Sequence, residues 1–291
     1  MKSIIRHLAK MLIPRSYQTS IKTLKTLILS SPIAEKGFQW GQNFTINGES
    51  STITTNHFQS HLENGNTPSN ALEAYFNSHT EGLGILKWKH YFNIYHRHLS
   101  KFVGQKVQVL EVGVASGGSL EMWKNYFGSN CQIYGVDIEE ACKAYEKDSI
   151  KIFIGDQTDR NFWKRFKSEV PTLDIVIDDG GHEPEQQIAT LEELLPHLRP
   201  GGVYICEDIH GTLNQFHTYI SGLTHNLNAL QEFGYKPIKS GSGLASFSTY
   251  FQDAIQSFHL YPFVVVIERS ETPVSEFVAP LQGSKWLVLT K

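Results

Sequence analysis

Continuous apolar runs and amphipathic stretches alternate strictly between residues 107 and 208. "VQVLEVGV" (107–114), "QIYGVDI" (132–138), "IKIFIGD" (150–156), "LDIVIDD" (173–179) and "GVYICED" (202–208) read as strands. Their apolar positions are consecutive, as expected of strands covered on both faces. Between them, "GGSLEMWKNYF" (117–127), the short "EEACKAYEK" (139–147), "DRNFWKRFKSEV" (159–170) and "EPEQQIATLEELLPHL" (183–198) read as helices. Pro184 suits a first helical turn, where its missing N–H costs nothing. Gly201 and Gly202 read as the stop of that last helix. Strand and helix in this order predict a parallel α/β sheet.

Outside this block the pattern changes. "NALEAYFNSH" and "KWKHYFNIYHRHLSKF" predict two helices, the second with Trp88, Tyr91, Phe92, Tyr95 and Leu99 on one face. Residues 31–69 are rich in Ser, Thr, Asn and Gly, with β-like pieces such as "STITTNHF". They read as a variable loop or small hairpin without chemistry. Downstream, "HNLNALQEFGY" predicts a helix, "SFSTYFQDAIQSFHLYPFVVVIER" a helical turn and a strong strand at 262–268, and "SKWLVLTK" a last strand. A C-terminal hairpin on the sheet suits this.

Composition narrows the picture. A chain of 291 residues with 40% hydrophobic content can build one large core or two modest ones. A formal charge of -3 gives no global case for nucleic-acid binding. Cys131, Cys142 and Cys206 fit neither a disulfide framework nor a zinc motif, so a reduced, cytoplasmic compartment is the simpler reading. No run approaches the ~18 apolar residues of a membrane span. From Met1 to Ser30, six basic residues (Lys2, Arg6, Lys10, Arg15, Lys22, Lys25) and no acidic one interleave with apolar residues at helical spacing. Two readings stand. One is an amphipathic segment touching the anionic inner membrane surface. The other is a helical arm packed on the domain or on a neighbouring subunit.

The strand ends carry the chemistry. After the first strand, "LEVGVASGGSL" places glycines at 113, 117 and 118, where the backbone can approach a ligand and a helix N-terminus follows. The spacing lacks the second glycine of a dinucleotide fingerprint. Glu111 inside the turn would repel a pyrophosphate and suits a ligand with an ammonium group. Asp137 ends the second strand, 24 residues after Gly113, where an acid accepts from ribose hydroxyls. Asp156 and Gln157 end the third, beside the expected adenine. A nucleoside with an amino-acid tail, S-adenosylmethionine (SAM), fits all three. The fourth and fifth strands end in "IDDGGH" and "ICEDIH", which would converge Asp178, Asp179, Glu207 and Asp208 on one crevice. Four unpaired buried carboxylates are prohibitive, and a hard dication such as Mg²⁺ (or Ca²⁺ or Mn²⁺) would resolve the conflict. His182 would then stand within reach of a metal-bound hydroxyl as general base. His182 as a helix cap is the structural alternative, and His210 is a second candidate base.

These motifs carry a resemblance. "LEVGVASGGSLEMW", "IYGVDI", "GDQTD", "DIVIDDGGH" and "PGGVYICEDIH", within residues 71–270, resemble the class I, SAM-dependent, metal-dependent O-methyltransferases that modify sugars on macrolides, the mycinamicin type. That family has Ser where this chain has Gly181. The resemblance implies a Rossmann-like fold with a mostly parallel seven-stranded sheet, helices on both faces and an N-terminal helical extension. It divides the chain into an arm and loop (1–70) and a methyltransferase domain (71–291). It implies metal ligands at Asp179, Glu207 and Asp208, a catalytic His182, Mg²⁺ or Mn²⁺, and SAM contacts around Glu111, Gly113, Ser119, Asp137, Asp156 and Gln157. Asp178 would lie beside the cofactor and orient its neighbours. A family helix H-x-Y-x-x-x-Y helps close the SAM pocket. Here Tyr91 and Tyr95 are kept, while His90 is displaced by one position. The acceptor implied is a small molecule or glycan bearing a sugar hydroxyl, and the N-terminal region implies oligomer contacts. Two alternatives remain. One is a metal-dependent glycosyltransferase, disfavoured because no basic residue flanks 178 or 207. The other is a methyltransferase-like scaffold without turnover.

Overall fold

The computed structural model describes residues 32–42, 45–46, 49–50, 68–211, 214–229, 236–237 and 243–283. The basic segment 1–30, "STITTNHF" and the expected last strand "SKWLVLTK" lie outside them. The chain falls into two units: Met1–Thr67 with Gly211–Gln215, and Pro68–His210 with Phe216–Lys291. In the first unit, helix α1 (Pro32–Gln42) stands where the sequence predicts a loop, followed by a pair of two-residue strands, Thr45–Ile46 and Glu49–Ser50. Gly37 and Gly41 hide this helix from a periodicity reading.

The second unit is built on a seven-stranded sheet. Its strands are β1 (Gln108–Val112), β2 (Gln132–Asp137), β3 (Ile150–Ile154), β4 (Leu173–Asp178), β5 (Leu198–Cys206), β7 (Ile255–Tyr261) and β8 (Val264–Arg269). The order is β7-β8-β5-β4-β1-β2-β3. The five strands β5-β4-β1-β2-β3 are parallel, and β8 is antiparallel to both β5 and β7. A smaller antiparallel sheet joins β6 (Gly243–Phe247) to β9 (Glu276–Pro280) and to a two-residue strand at Lys236–Pro237.

Helices α2 (Ala71–Ser78), α3 (Tyr91–Leu99) and α4 (Gly118–Phe127) cover one face; α5 (Arg160–Glu169), α6 (Pro184–Leu194) and α7 (Gln215–Thr224) cover the other. This two-sided cover explains the continuous apolar runs. Ile175, Ile177, Val203 and Ile205 pack under Tyr95, Leu120 and Trp123, while Val176, Tyr204 and Cys206 pack under Trp163, Leu191 and Phe216. Among the described residues no helix is long and apolar enough to cross a membrane.

The structure corrects four local expectations. Gly201 and Gly202 do not stop a helix: α6 ends at Leu194, a 3₁₀ turn follows through Pro196, and the glycines lie inside β5. There the pairing with β4 slips between Leu173 and Ile175, a bulge that Gly201 permits at φ +77°. The segment after β2 is a 3₁₀ helix, Glu140–Tyr145. "HNLNALQEFGY" contributes a 3₁₀ turn at His225–Asn228, with 230–235 outside the described residues. Trp88 precedes α3 and is half exposed, so it is not part of the buried face that Tyr91, Phe92, Tyr95 and Leu99 form.

Candidate active site

The carboxyl ends of β1 to β5 open on a cavity of about 770 Å³. Its lining includes Gly113, Ala115, Ser119, Asp137, Asp156, Gln157, Asp179, His182, Glu207, Asp208 and His210. Ligand pockets of this size are typical of the crevice at strand ends in open α/β sheets. Gly113 (φ +90°) brings the first loop against β4: a Cβ there would fall 2.0 Å from the Asp179 carbonyl oxygen. Only glycine lets the two strand ends meet.

Asp137 organises the glycine loop. Its Oδ2 accepts from the backbone N–H of Val114 (2.8 Å) and Ala115 (3.0 Å), and its Oδ1 accepts from Glu139 N–H (2.9 Å). Burial works against the charge, but these backbone donors outweigh it and hold the carboxyl below its usual range. Asp156 lies exposed on the cavity wall and accepts from the Thr158 N–H (2.7 Å) and hydroxyl (2.8 Å). Gln157 lines the cavity at the end of β3, where it is expected beside the adenine. Its side chain is engaged inward, donating to Asp178 (3.2 Å) and Thr190 (3.0 Å) and accepting from Gly181 N–H (2.8 Å). Asp178 stands behind the cavity wall, buried, and accepts from Tyr204 Oη (3.1 Å). It therefore orients neighbours, and its carboxylate does not face the cavity.

Burial pushes the Asp178 pKa up to about 7, although Tyr204, Gly180 and Gln157 donate to its charged form. A carboxyl raised in the folded state favours folding least above that pKa. Stability should therefore decline as pH rises from about 4 towards 7. Asp178→Asn is expected to flatten this decline in urea unfolding measured at several pH values; an unchanged slope would mean that another group sets it.

The residue that sequence reasoning missed is Lys87. It lies in the loop before α3, fully enclosed, with Nζ 2.6 Å from Asp179 Oδ2, 3.0 Å from Glu207 Oε2 and 3.5 Å from Glu111 Oε1. Burial disfavours its ammonium, but Glu207, Asp179 and Glu111 reverse this and hold its pKa well above the usual lysine value. Glu111 is fully buried beneath the cavity, accepts from Ser119 Oγ (2.7 Å), and has Oε1 without a hydrogen bond. The ammonium group that Glu111 was expected to meet is thus supplied by the chain itself. The carboxylate conflict at the strand ends is also relieved in part by Lys87, rather than by a metal alone. In the sequence, "KWKHYF" opens one helix whose apolar face is Trp88, Tyr91, Phe92, Tyr95 and Leu99, which leaves Lys87 unmarked. Only the turn before Tyr91 brings Lys87 inward.

Helix α3 completes the floor. Tyr95 Oη donates to Glu207 Oε1 (2.6 Å), and Tyr91 Oη donates to Asp208 Oδ1 (2.7 Å). Trp88 Nε1 donates to the same Asp208 oxygen at 3.0 Å. Burial and the neighbouring acids raise the pKa of both phenols, so they remain donors. Glu207 is fully buried, and burial pushes its pKa up against the opposing pull of Lys87. His90 turns away to the Pro262 carbonyl (3.1 Å).

His182 lies at the N-terminal end of α6 but does not cap it; Glu183 holds the cap position, its N–H donating to Gln186 Oε1 (3.2 Å). His182 Nε2 faces Asp208 Oδ2 (3.7 Å) and Asp179 Oδ1 (4.0 Å), while its Nδ1 is buried without a hydrogen-bond partner. His210 Nε2 lies 3.5 Å from Asp208 Oδ1, with its ring beside Phe263 (4.7 Å). Asp179, His182 and Asp208 bring ligand atoms within 4.8 Å of one another. Two carboxylates and an imidazole at this spacing fit a divalent cation. Glu207, expected as the third ligand, is turned to Tyr95 and Lys87. Backbone strain gathers here: His182 (φ +60°), Asp208 (φ +54°) and Ala115 (φ +46°) all line the cavity in the left-handed region.

Residues 110–209 match a family model described as a methyltransferase domain. The match runs from β1 to just past the end of β5. Around it, the chain is 39% identical over 133 residues to demethylmacrocin O-methyltransferase of Streptomyces fradiae, covering 43% of this chain and 33% of the relative. It is 39% identical over 137 residues to mycinamicin VI 2''-O-methyltransferase of Micromonospora griseorubida, covering 45% and 33%. Among solved structures, it is similar to the MycE methyltransferase of the mycinamycin biosynthetic pathway in complex with Mg and SAH. The TM-score is 0.53 at 28% identity, covering 68% of this chain and 53% of that one. The matched region thus spans about a third of the length of these curated relatives. The sheet order and the helices on both faces are the Rossmann-like methyltransferase fold.

Proposed function

We propose that the methyltransferase domain transfers a methyl group from SAM to a hydroxyl of a sugar, carried on a glycosylated small molecule or a glycan. The carrying observation is His182 Nε2 beside Asp179 and Asp208 at the cavity, in a strained backbone that fixes it there. SAM supplies an electrophilic methyl, and the Asp137 loop with Gly113 and Asp156 would hold its nucleoside. A bound dication, held by Asp179 and Asp208, would lower the pKa of an acceptor hydroxyl. His182 takes the hydroxyl proton. Tyr91 and Trp88 hold Asp208 in register, while Lys87, itself braced by Glu207, holds Asp179. The sugar acceptor rests on the relatives' named activities, on a demethylmacrocin and on mycinamicin VI at a 2'' position.

Calorimetric titration with S-adenosylhomocysteine, beside turnover on a panel of deoxysugar glycosides and glycans with and without Mg²⁺, tests this. Micromolar binding is expected, with turnover abolished by chelator. Absence of binding would overturn the reading of the glycine loop, and turnover indifferent to chelator would remove the dication.

A further inference from the structure

A second group of ligand-type side chains lies away from the cavity, where α3 meets the edge hairpin β7–β8. His98 comes from α3, His259 from β7 and Glu268 from β8, so three elements converge on one point. Their ligand atoms all lie within 4.8 Å of one another. His98 is 4% exposed, with Nδ1 2.8 Å from Glu268 Oε1. His259 Nε2 lies 3.8 Å from Glu268 Oε2, and the two imidazole rings are 4.6 Å apart.

We propose that His98, His259 and Glu268 form a site for a transition-metal dication of the zinc class, separate from the methyltransferase cavity. Two imidazoles and one carboxylate select zinc, cobalt or nickel over magnesium and calcium, which prefer all-oxygen shells. A tetrahedral zinc with bonds of about 2.0–2.1 Å keeps its ligand atoms about 3.4 Å apart. The observed separations bracket that value, so side-chain rotations suffice to seat the ion. The surroundings match what a ligating histidine needs. Tyr261 Oη lies 2.9 Å from His98 Nε2, ready to accept its N–H and so leave Nδ1 to the ion. Ser257 Oγ lies 2.9 Å from His259 Nε2 and 3.4 Å from Glu268 Oε2, an oxygen at the open side of the group. His259 and Glu268 are partly exposed, which gives the ion an entry path, whereas His98 closes the inner side. Occupancy would tie α3 to the hairpin. The same helix carries Tyr91 and Tyr95, which hold Asp208 and Glu207.

The test uses the full chain in excess Mg²⁺, which occupies oxygen sites and leaves nitrogen sites free. Co²⁺ titration is expected to give a visible ligand-field absorption that saturates at one equivalent, and Zn²⁺ to displace it and raise the melting temperature. His259→Gln and Glu268→Gln, checked for folding by circular dichroism, should each lose both effects, while Asp208→Asn keeps them. Tyr261→Phe should weaken Zn²⁺ binding by about 10–100-fold without abolishing it. No absorption in excess Mg²⁺ would overturn the proposal. So would a signal that survives His259→Gln and disappears in Asp208→Asn.

Discussion

Replacing Lys87 with methionine is expected to destabilise the fold by about 3–5 kcal/mol near neutral pH. The ammonium lies between Asp179, Glu207 and Glu111, and the last two are fully buried. Methionine conserves much of the stem but leaves the acids without a counter-charge, and an uncompensated buried charge is the costly half of a broken ion pair. The effect has a pH signature. Burial already raises the Glu207 pKa above its ordinary 4.5, and loss of Lys87 raises it further. A carboxyl with a raised folded-state pKa binds its proton more tightly when folded, so the variant's deficit is smallest below about pH 4.5 and grows as pH rises. Urea unfolding of the parent and Lys87→Met at pH 4.5 and 8 measures both. Equal stability at pH 8 would show that the acids are neutralised by some other means.

His182→Ala is expected to lower methyl transfer by about 10²–10⁴-fold while leaving S-adenosylhomocysteine affinity unchanged, the range a positioned general base supplies. His182 is the imidazole that faces both Asp179 and Asp208, and no other described residue occupies its position at the N-terminal end of α6. His210 lies beside Asp208 Oδ1 and is not grouped with Asp179, so His210→Ala should cost less. Single-turnover rates at saturating acceptor separate the two histidines. A larger loss at His210 would exchange their roles.

The legible parts of this molecule were those governed by local pattern. The five parallel strands could be read because both faces of each are buried, which leaves unbroken apolar runs ending in acids. Asp137, Asp179, His182 and Asp208 could be placed at one opening because parallel strands share a carboxyl edge. What escaped is set by long-range geometry. Lys87 is 120 residues from Glu207 in sequence, and nothing in its neighbourhood marks it as buried. Gln157 lines the cavity at a strand end, but its amide's bridge to Asp178, Thr190 and Gly181 could not be read from the sequence. Gly201 and Gly202 look like a helix stop and instead shape a bulge, a distinction that depends on the pairing of β4 with β5. Phe263 adopts φ +64° in the β7–β8 turn, against its own preference, and its carbonyl accepts from Ile209 N–H (3.0 Å) just beyond Asp208.

The left-handed backbone at His182 and Asp208 has a further consequence for laboratory evolution. Glycine adopts that conformation freely, so glycine at either position relaxes a strain of order 1–3 kcal/mol. A library of this chain sorted only for survival of heating would therefore be enriched in glycine at 182 and 208. Those survivors would have lost the imidazole or the carboxylate that the strain holds in place, and heat tolerance would rise as turnover fell.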